Sequence, residues 1–418
     1  MTCPSENDLP RPNSPPQSRR YVVELSATSV GGTAYGLVVP FAMTLTRPSS
    51  VLRAVVAVRV VNRLGGFGMS FLGLRLVRDL GMSLGDVGVV LAVFGACTIP
   101  SRILGGVLAT RLGARWTIVG GLLACAGALL AIGVAETVSL VVGSVLVLGL
   151  AYELIEPATQ AVIADTIEPA KQASAFALLW STLSVAGVVS GLLAVVLGRW
   201  GVSAIFICDA ISAALAAAAA LVLLPSVRVE RHPSPWRLAL SARLLVWTGV
   251  GTLYATLVMV VVFMLPLAID RAGHSTSTTG WVLAVAAAAA IAAQRILARV
   301  EQRMPPATAL VIGHLALAAG LGLWATGGVA GLIMGAVLEG ASGAFLLGTY
   351  QATAARMGGP GLGAAVMTVF GLSWGVATVV APLVGSPLLA RGEATLWLAC
   401  AGASLTLAAG HALRRRHG

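Results

Sequence analysis

The chain has 418 residues, of which 57% are hydrophobic and only 10% charged, with a formal net charge of +11. A soluble protein of this length carries about 25% charged residues, so this composition excludes a water-soluble globule and predicts an all-α polytopic membrane protein. The positive charge is spaced between apolar runs and not gathered into a basic stripe with interleaved aromatics, which excludes a nucleic-acid surface.

Residues 1–50 differ from the rest. "CPSENDLPRPNSPPQSRR" is rich in Pro, Ser and charge and reads as disordered. The stretch that follows is broken by Gly, Thr and Pro40 and lacks the arrangement of a secretory signal. Residues 1–50 are therefore expected to be a disordered extension, or to lie upstream of a true start at Met43.

From Leu52 onward the sequence holds twelve apolar runs, each near the ~20 residues that a helix needs to cross a bilayer. The first six are Leu52–Leu76, Val87–Ala109, Trp116–Val134, Val138–Val162, Ala173–Leu197 and Ala204–Leu224. The second six are Leu245–Ile269, Trp281–Leu297, Ala307–Ala325, Val329–Tyr350, Gly363–Leu383 and Ala394–Leu413. The longest polar connection, at 225–243, divides them into predicted halves at 51–224 and 244–413, with a basic tail at 414–418.

Charge inside these runs marks candidate function, since an ionisable group at mid-membrane costs about 2.5–3.5 kcal/mol and persists when paired or facing water. Run 1 carries Arg59, Asn62 and Arg63 at i, i+3 and i+4; run 4 carries Glu153, Glu156 and Gln160 at i, i+3 and i+7. Each set shares one helical face. Arg59 and Glu153 are each roughly 10 Å from the same end of their runs at 1.5 Å per residue, and are expected to face each other. Arg59, Asn62, Arg63 and Gln160 are the predicted substrate-cavity groups. Glu339 stands alone in run 10 with no basic residue within a turn or two, which makes it the first candidate for reversible protonation, ahead of Glu153 and Glu156. Asp209 in run 6 reads as a structural cap near a boundary, peripheral to any cavity. His314 reads as a packing residue, and Trp180, Trp281 and Trp374 as interface or cavity aromatics, with interface anchoring the default.

The arginines orient the chain. Arg53, Arg111, Arg115, Lys171, Arg228, Arg231, Arg237, Arg243, Arg299, Arg303, Arg356, Arg414, Arg415 and Arg416 lie on the side of the termini, against Arg78, Arg199, Arg271 and Arg391 opposite, with Arg75 between. Positive charge accumulates on the inside, so both termini are expected in the cytoplasm of a bacterial plasma membrane. The halves also echo each other. "SRILGGVLATRLGARWTIV" after run 2 resembles "QRILARVEQRMPPATALVI" after run 8, with Arg102 and Arg295 in register. "QAVIADTIEPAKQASAFALLW" resembles "QATAARMGGPGLGAAVMTVFG", with Gln160 matching Gln351. Two echoes at nearly equal offset predict a duplicated six-helix unit, with the substrate path between the halves.

The five cysteines share no paired spacing, and neither GxxxxGK[ST] nor HExxH occurs. No disulfide framework, metal or cofactor is expected.

"GVLATRLGAR", from Gly106 to Arg115, resembles the signature of the major facilitator superfamily between its second and third helices, roughly G-x-L-[AS]-D-R-x-G-R-[RK]. Gly106, Leu108, Ala109, Arg111, Gly113 and Arg115 match, while Thr110 replaces the family's Asp and Ala114 its Arg. "RVVNRLGGFGMSFLGLRL" is similar to the first helix of drug and metabolite exporters in that superfamily. Of the antiporter signature G-x-x-x-G-P in run 5, Gly187 and Gly191 match but Leu192 replaces Pro. The resemblance, from Leu52 to the C-terminus, implies twelve helices in two six-helix pseudo-repeats, with the first, fourth, seventh and tenth lining a central cavity. It implies a cytoplasmic gate at Gly106, Arg111, Gly113 and Arg115, with Asp165 as the anchoring acid. The function expected is proton-coupled efflux of a small apolar or amphipathic compound by a monomer in the bilayer. Its rivals are metabolite uptake by the same fold, a polytopic membrane enzyme and a non-transporting sensor.

Overall fold

The computed structural model describes residues 49–167, 169–226, 240–300, 304–357 and 363–416. The predicted extension, apart from its last two residues, and most of the central loop lie outside them. Among the described residues, twelve helices are long and apolar enough to cross a membrane. In the first half they are Ser50–Asp79 (span 1), Leu84–Arg111 (span 2), Ala114–Val134 (span 3), Val138–Ile163 (span 4), Leu178–Leu197 (span 5) and Val202–Leu223 (span 6). In the second half they are Ala242–Arg271 (span 7), Thr276–Leu297 (span 8), Pro306–Trp324 (span 9), Val329–Ala355 (span 10), Val366–Ala390 (span 11) and Glu393–Leu413 (span 12). Several helices outrun their apolar runs by a turn, and the last continues to Arg416, so the expected basic tail is largely helical.

Local chemistry sets the ends. Ser49, Ser83 and Ser241 each accept a hydrogen bond from a backbone N–H in the first turn of spans 1, 2 and 7, satisfying donors that a starting helix leaves without partners. Gly113 turns the chain between spans 2 and 3 at φ +89°, a conformation that costs a side-chain-bearing residue about 1–2 kcal/mol. At the other end of span 1, buried Arg75 donates to the carbonyls of Ile132 and Ala135 at 3.2 and 2.8 Å. It also pairs with Asp79 at 2.6 Å. The cation thus closes the C-terminus of span 3, where orphan carbonyls gather negative potential.

The packing repeats. In the first half span 1 lies on spans 5 and 6, span 2 on span 4, and span 3 on spans 4 and 6. In the second half span 7 lies on spans 11 and 12, span 8 on span 10, and span 9 on spans 10 and 12. Adding six to every number in the first set produces the second, the relation expected of parallel repeats about an axis along the membrane normal. The contacts between halves obey the same symmetry: span 2 meets span 11, span 5 meets span 8, and span 1 meets span 7.

These junctions lie from mid-membrane to the end remote from the chain's termini. Arg78 Nη1 is 3.5 Å from Asp270 Oδ1 and 3.2 Å from Thr276 Oγ1. Ser277 Oγ donates to the Val195 carbonyl at 2.8 Å. The backbones of spans 5 and 8 meet at Gly191, where an added Cβ would lie 2.7 Å from the Ala284 nitrogen. The half-matched signature of span 5 thus serves here as a small-residue contact that lets two helices approach.

Candidate functional site

Two breaks in the helices of the first half build the site. Pro157 has no N–H to give to the carbonyl four residues earlier, and its ring crowds that carbonyl. Span 4 accordingly stops at Tyr152 and restarts at Ile155. At the break, the Glu153 N–H donates to Ser101 Oγ of span 2 at 3.1 Å. Span 2 can come this close because Gly105 lacks a side chain: a Cβ there would sit 2.6 Å from the Leu154 carbonyl oxygen. Span 1 breaks where two glycines adjoin, between Gly65 and Gly68. Span 6 satisfies the interrupted backbone: Gly65 N–H donates to Ser212 Oγ and Gly68 N–H to Asp209 Oδ2, both at 3.1 Å.

Between the breaks lies a cavity of about 330 Å³. Its polar wall is made by Arg59, Asn62, Arg63, Glu153, Glu156 and Asp209, and its apolar wall by Met69, Leu129, Leu148 and Leu183, with Tyr152 and Trp180 beside them. Arg59 Nη2 lies 2.7 Å from Glu156 Oε2, with side chains only 19% and 18% exposed. Gln160 Nε2 donates to the other oxygen of Glu156 at 2.9 Å. Glu153 Oε2 pairs with Arg102 Nη1 at 3.6 Å. The expected Arg59–Glu153 pairing is therefore replaced by two pairs, Arg59–Glu156 and Arg102–Glu153. The helix break explains the exchange, since an i, i+3 face holds only along a continuous helix, and Glu153 and Glu156 lie on opposite sides of the interruption.

Arg59, Asn62, Arg63, Glu153 and Glu156 thus come together as predicted groups of one cavity, with Gln160 behind Glu156. Asp209 caps as expected, but it is not peripheral: it is buried, meets the middle of span 1 and lines the cavity. Of the two readings of Trp180, interface or cavity, its place on this wall matches the second. Ser101 and Arg102 were not among the predicted site residues. The available signal was a guanidinium inside the apolar run of span 2, read only as a register mark for the repeat.

Glu339 is separate from this cluster. It lies in span 10 beside Gly340, and its carbonyl accepts from Ser342 Oγ at 2.6 Å. No ion pair to its carboxylate occurs among the described residues. The second half has instead a buried hydrogen-bonded chain. His314 Nδ1 is 3.1 Å from Ser404 Oγ and its Nε2 2.9 Å from Tyr350 Oη, which is in turn 2.9 Å from His411 Nε2. Tyr254 stacks on Tyr350 with ring centroids 4.8 Å apart, and Trp374 meets it edge-on. His314 is thus a hydrogen-bonded packing residue, joined by partners on spans 10 and 12 that no local pattern linked to it.

The predicted gate residues behave differently from one another. Gly106 faces open space, and the tight approach falls to Gly105. Arg111 is exposed at the end of span 2. Arg115 donates to the Leu221 carbonyl at the end of span 6 and lies over the Trp116 ring, 5.7 Å from its centroid. The side chain of Asp165, its expected partner, lies outside the described residues. Among those residues, no group of His, Cys, Asp and Glu is arranged to hold a metal ion.

The sequence profile described as Major Facilitator Superfamily matches residues 55–382. The Multidrug resistance protein MdtH of Aeromonas hydrophila is 28% identical over 265 residues, covering 61% of this chain and 66% of that protein. The MdtH of Shigella flexneri is 27% identical over 229 residues, covering 53% of this chain and 57% of its own length. The match spans less than two thirds of each relative. Among solved structures, the nucleoside transporter NupG superposes with a TM-score of 0.73 at 13% identity, covering 87% of this chain and 99% of that one. A peptide transporter POT in complex with sulfate superposes with a TM-score of 0.73 at 15% identity, covering 90% and 96%. At these identities the two structures share the fold.

Proposed function

Because the chain belongs to the major facilitator superfamily, and is therefore a multi-pass membrane transporter and not an enzyme, we propose that it exports a small amphipathic compound in exchange for protons. It does so by alternating access, as a monomer in the bacterial inner membrane with both termini cytoplasmic. The reading is carried by one observation: a charged cavity at mid-membrane depth, beside halves whose hydrogen-bonded contacts, among the described residues, gather toward one end. With the arginine-rich side inside, the closed end faces outward, and the cavity belongs to a state accessible from the cytoplasm. The likeness to MdtH proteins, named for multidrug resistance, supports export over uptake.

The domain division at 51–224 and 244–413 is part of this proposal, the two halves rocking about the junctions of spans 2 with 11 and 5 with 8. Glu339 is the coupling acid of choice, because a carboxylate without a cationic partner at mid-membrane is favoured to exchange a proton as its access to water changes. Glu153 is the second choice and Glu156 the third, each already holding a guanidinium. Arg59, Asn62, Arg63 and Gln160 belong to the substrate cavity. Gly106, Arg111, Gly113 and Arg115, with Asp165, form the inner gate, in which Thr110 stands where a charge would be expected.

The test is transport into proteoliposomes under an imposed pH gradient. Glu339→Gln should abolish gradient-driven accumulation while leaving downhill exchange intact. A variant that still concentrates substrate would remove Glu339 from the coupling role, and Glu153→Gln in the same assay would then decide the second choice.

A further inference from the structure

We infer that the cavity of the first half takes an amphipathic organic anion, held at its charged end by Arg63 and by the unpaired edge of Arg59. The inference rests on the transport reading only in calling this ligand a substrate; as a statement about binding it stands alone.

The argument is an account of donors and acceptors around the cavity. Each of its carboxylates has at least one oxygen engaged. Glu156 has one oxygen on Arg59 at 2.7 Å and the other on Gln160 at 2.9 Å. Glu153 is paired with Arg102 at 3.6 Å. Asp209 accepts the Gly68 N–H at 3.1 Å. The donors are in surplus. Arg59 Nε is buried with no hydrogen-bond partner, and Arg63, exposed within the cavity, has neither an ion pair nor a hydrogen bond among the described residues. A guanidinium carries five N–H groups and accepts nothing, so only an acceptor can satisfy it.

Hydrogen-bonding capacity decides between ligand classes. Asp209 lines the same cavity and balances part of the Arg63 charge, but no hydrogen bond joins the two among the described residues. A cationic ligand would have to sit beside the Arg63 guanidinium and compete for carboxylates that already hold Arg59, Gln160, Arg102 and the Gly68 N–H. An anionic ligand competes for none of them, and it can take a bidentate contact with Arg63, the geometry in which a planar guanidinium recognises a carboxylate. The opposite wall is apolar, with Leu129, Leu148 and Leu183 beside the aromatic faces of Tyr152 and Trp180. A volume of about 330 Å³ lies at the small end of ligand pockets, suiting one or two fused rings with a single acid group.

The experiment measures equilibrium binding to the purified full-length chain in nanodiscs by fluorescence anisotropy. The probes are coumarin-3-carboxylate, its neutral methyl ester, and a coumarin with a trimethylammonium group at the same position. The carboxylate should bind at least tenfold more tightly than the ester, and the cation most weakly. Arg63→Ala should remove that preference, Arg63→Lys should keep part of it, and Arg391→Ala, at the far end of the molecule, should change nothing. Arg63→Gln serves where the alanine variant does not fold. Binding of the carboxylate that is unsaturable, no tighter than that of the ester, or within twofold of wild type in the Arg63 variants overturns the inference. Proteoliposome transport of the same probe is a separate readout. Arg63-dependent binding without proton-linked movement would sink the export reading and leave the anion site standing. Proton-linked movement of the cation alone would do the reverse.

Discussion

The exchange of partners around Glu153 and Glu156 is open to a direct energetic test. Removing one member of a fully buried ion pair costs about 3–5 kcal/mol, whereas an exposed pair is worth about 0.2–1 kcal/mol. The Arg59–Glu156 contact is 2.7 Å long, with about a fifth of each side chain exposed. The loss should therefore fall between those limits, at about 2–3 kcal/mol for either Arg59→Ala or Glu156→Ala. Much of that loss is the cost of leaving the surviving charge unpaired, so the double variant should lose far less than the sum. A coupling energy of about 1–2 kcal/mol is expected, within the range for residues in contact. Thermal or denaturant unfolding in detergent would measure it. The same cycle run on Arg59 and Glu153 should give a coupling below about 0.5 kcal/mol, as for sites without a shared contact. Additive losses in the first cycle, or strong coupling in the second, would refute the assigned pairing and restore the facing of Arg59 and Glu153 expected from helical spacing alone.

Asp209→Ala should destabilise the protein by about 1–3 kcal/mol by leaving the Gly68 N–H without an acceptor, while Asp209→Asn, which can still accept, should recover most of that in the same unfolding measurement. Pro157→Ala returns an N–H that can reach the Glu153 carbonyl and removes the ring that crowds it, favouring a continuous span 4. Transport should fall in that variant while unfolding stability holds, because a continuous helix would re-aim Glu153 and Glu156; unchanged transport would count against the break as a functional feature. Gly191→Val places side-chain atoms against the Ala284 backbone and should push spans 5 and 8 apart, raising thiol labelling of Ser277→Cys; equal labelling in the two backgrounds would argue against this junction as a closure point. His314→Leu deprives Ser404 and Tyr350 of a shared partner and should cost about 1–3 kcal/mol of stability, read as a lowered Tm.

Much of the architecture was legible in the chain itself. Apolar runs of bilayer length can be only helices when no water is present to satisfy the backbone, so composition and length alone specified the spans. The duplicated motifs at Arg102 and Arg295 anticipated the packing symmetry in which the principal contacts of the first half recur six spans later. That carboxylates and guanidiniums within runs 1 and 4 would share one cavity was also legible, since charge at that depth is stable only when paired or facing water. Partnership was a different matter. Depth along a helix is a local property, counted at 1.5 Å per residue, but direction depends on helical phase, and phase is lost at each break. Pro157 interrupts span 4 between Glu153 and Glu156, so a count carried across that break misassigned Arg59 to Glu153. Asp209 shows the complementary case: its cap role could be read from its surroundings, while the N–H it caps lies 141 positions away in the chain. Only the packing of span 6 against the broken middle of span 1, set by long-range contacts, decided that it would face the cavity.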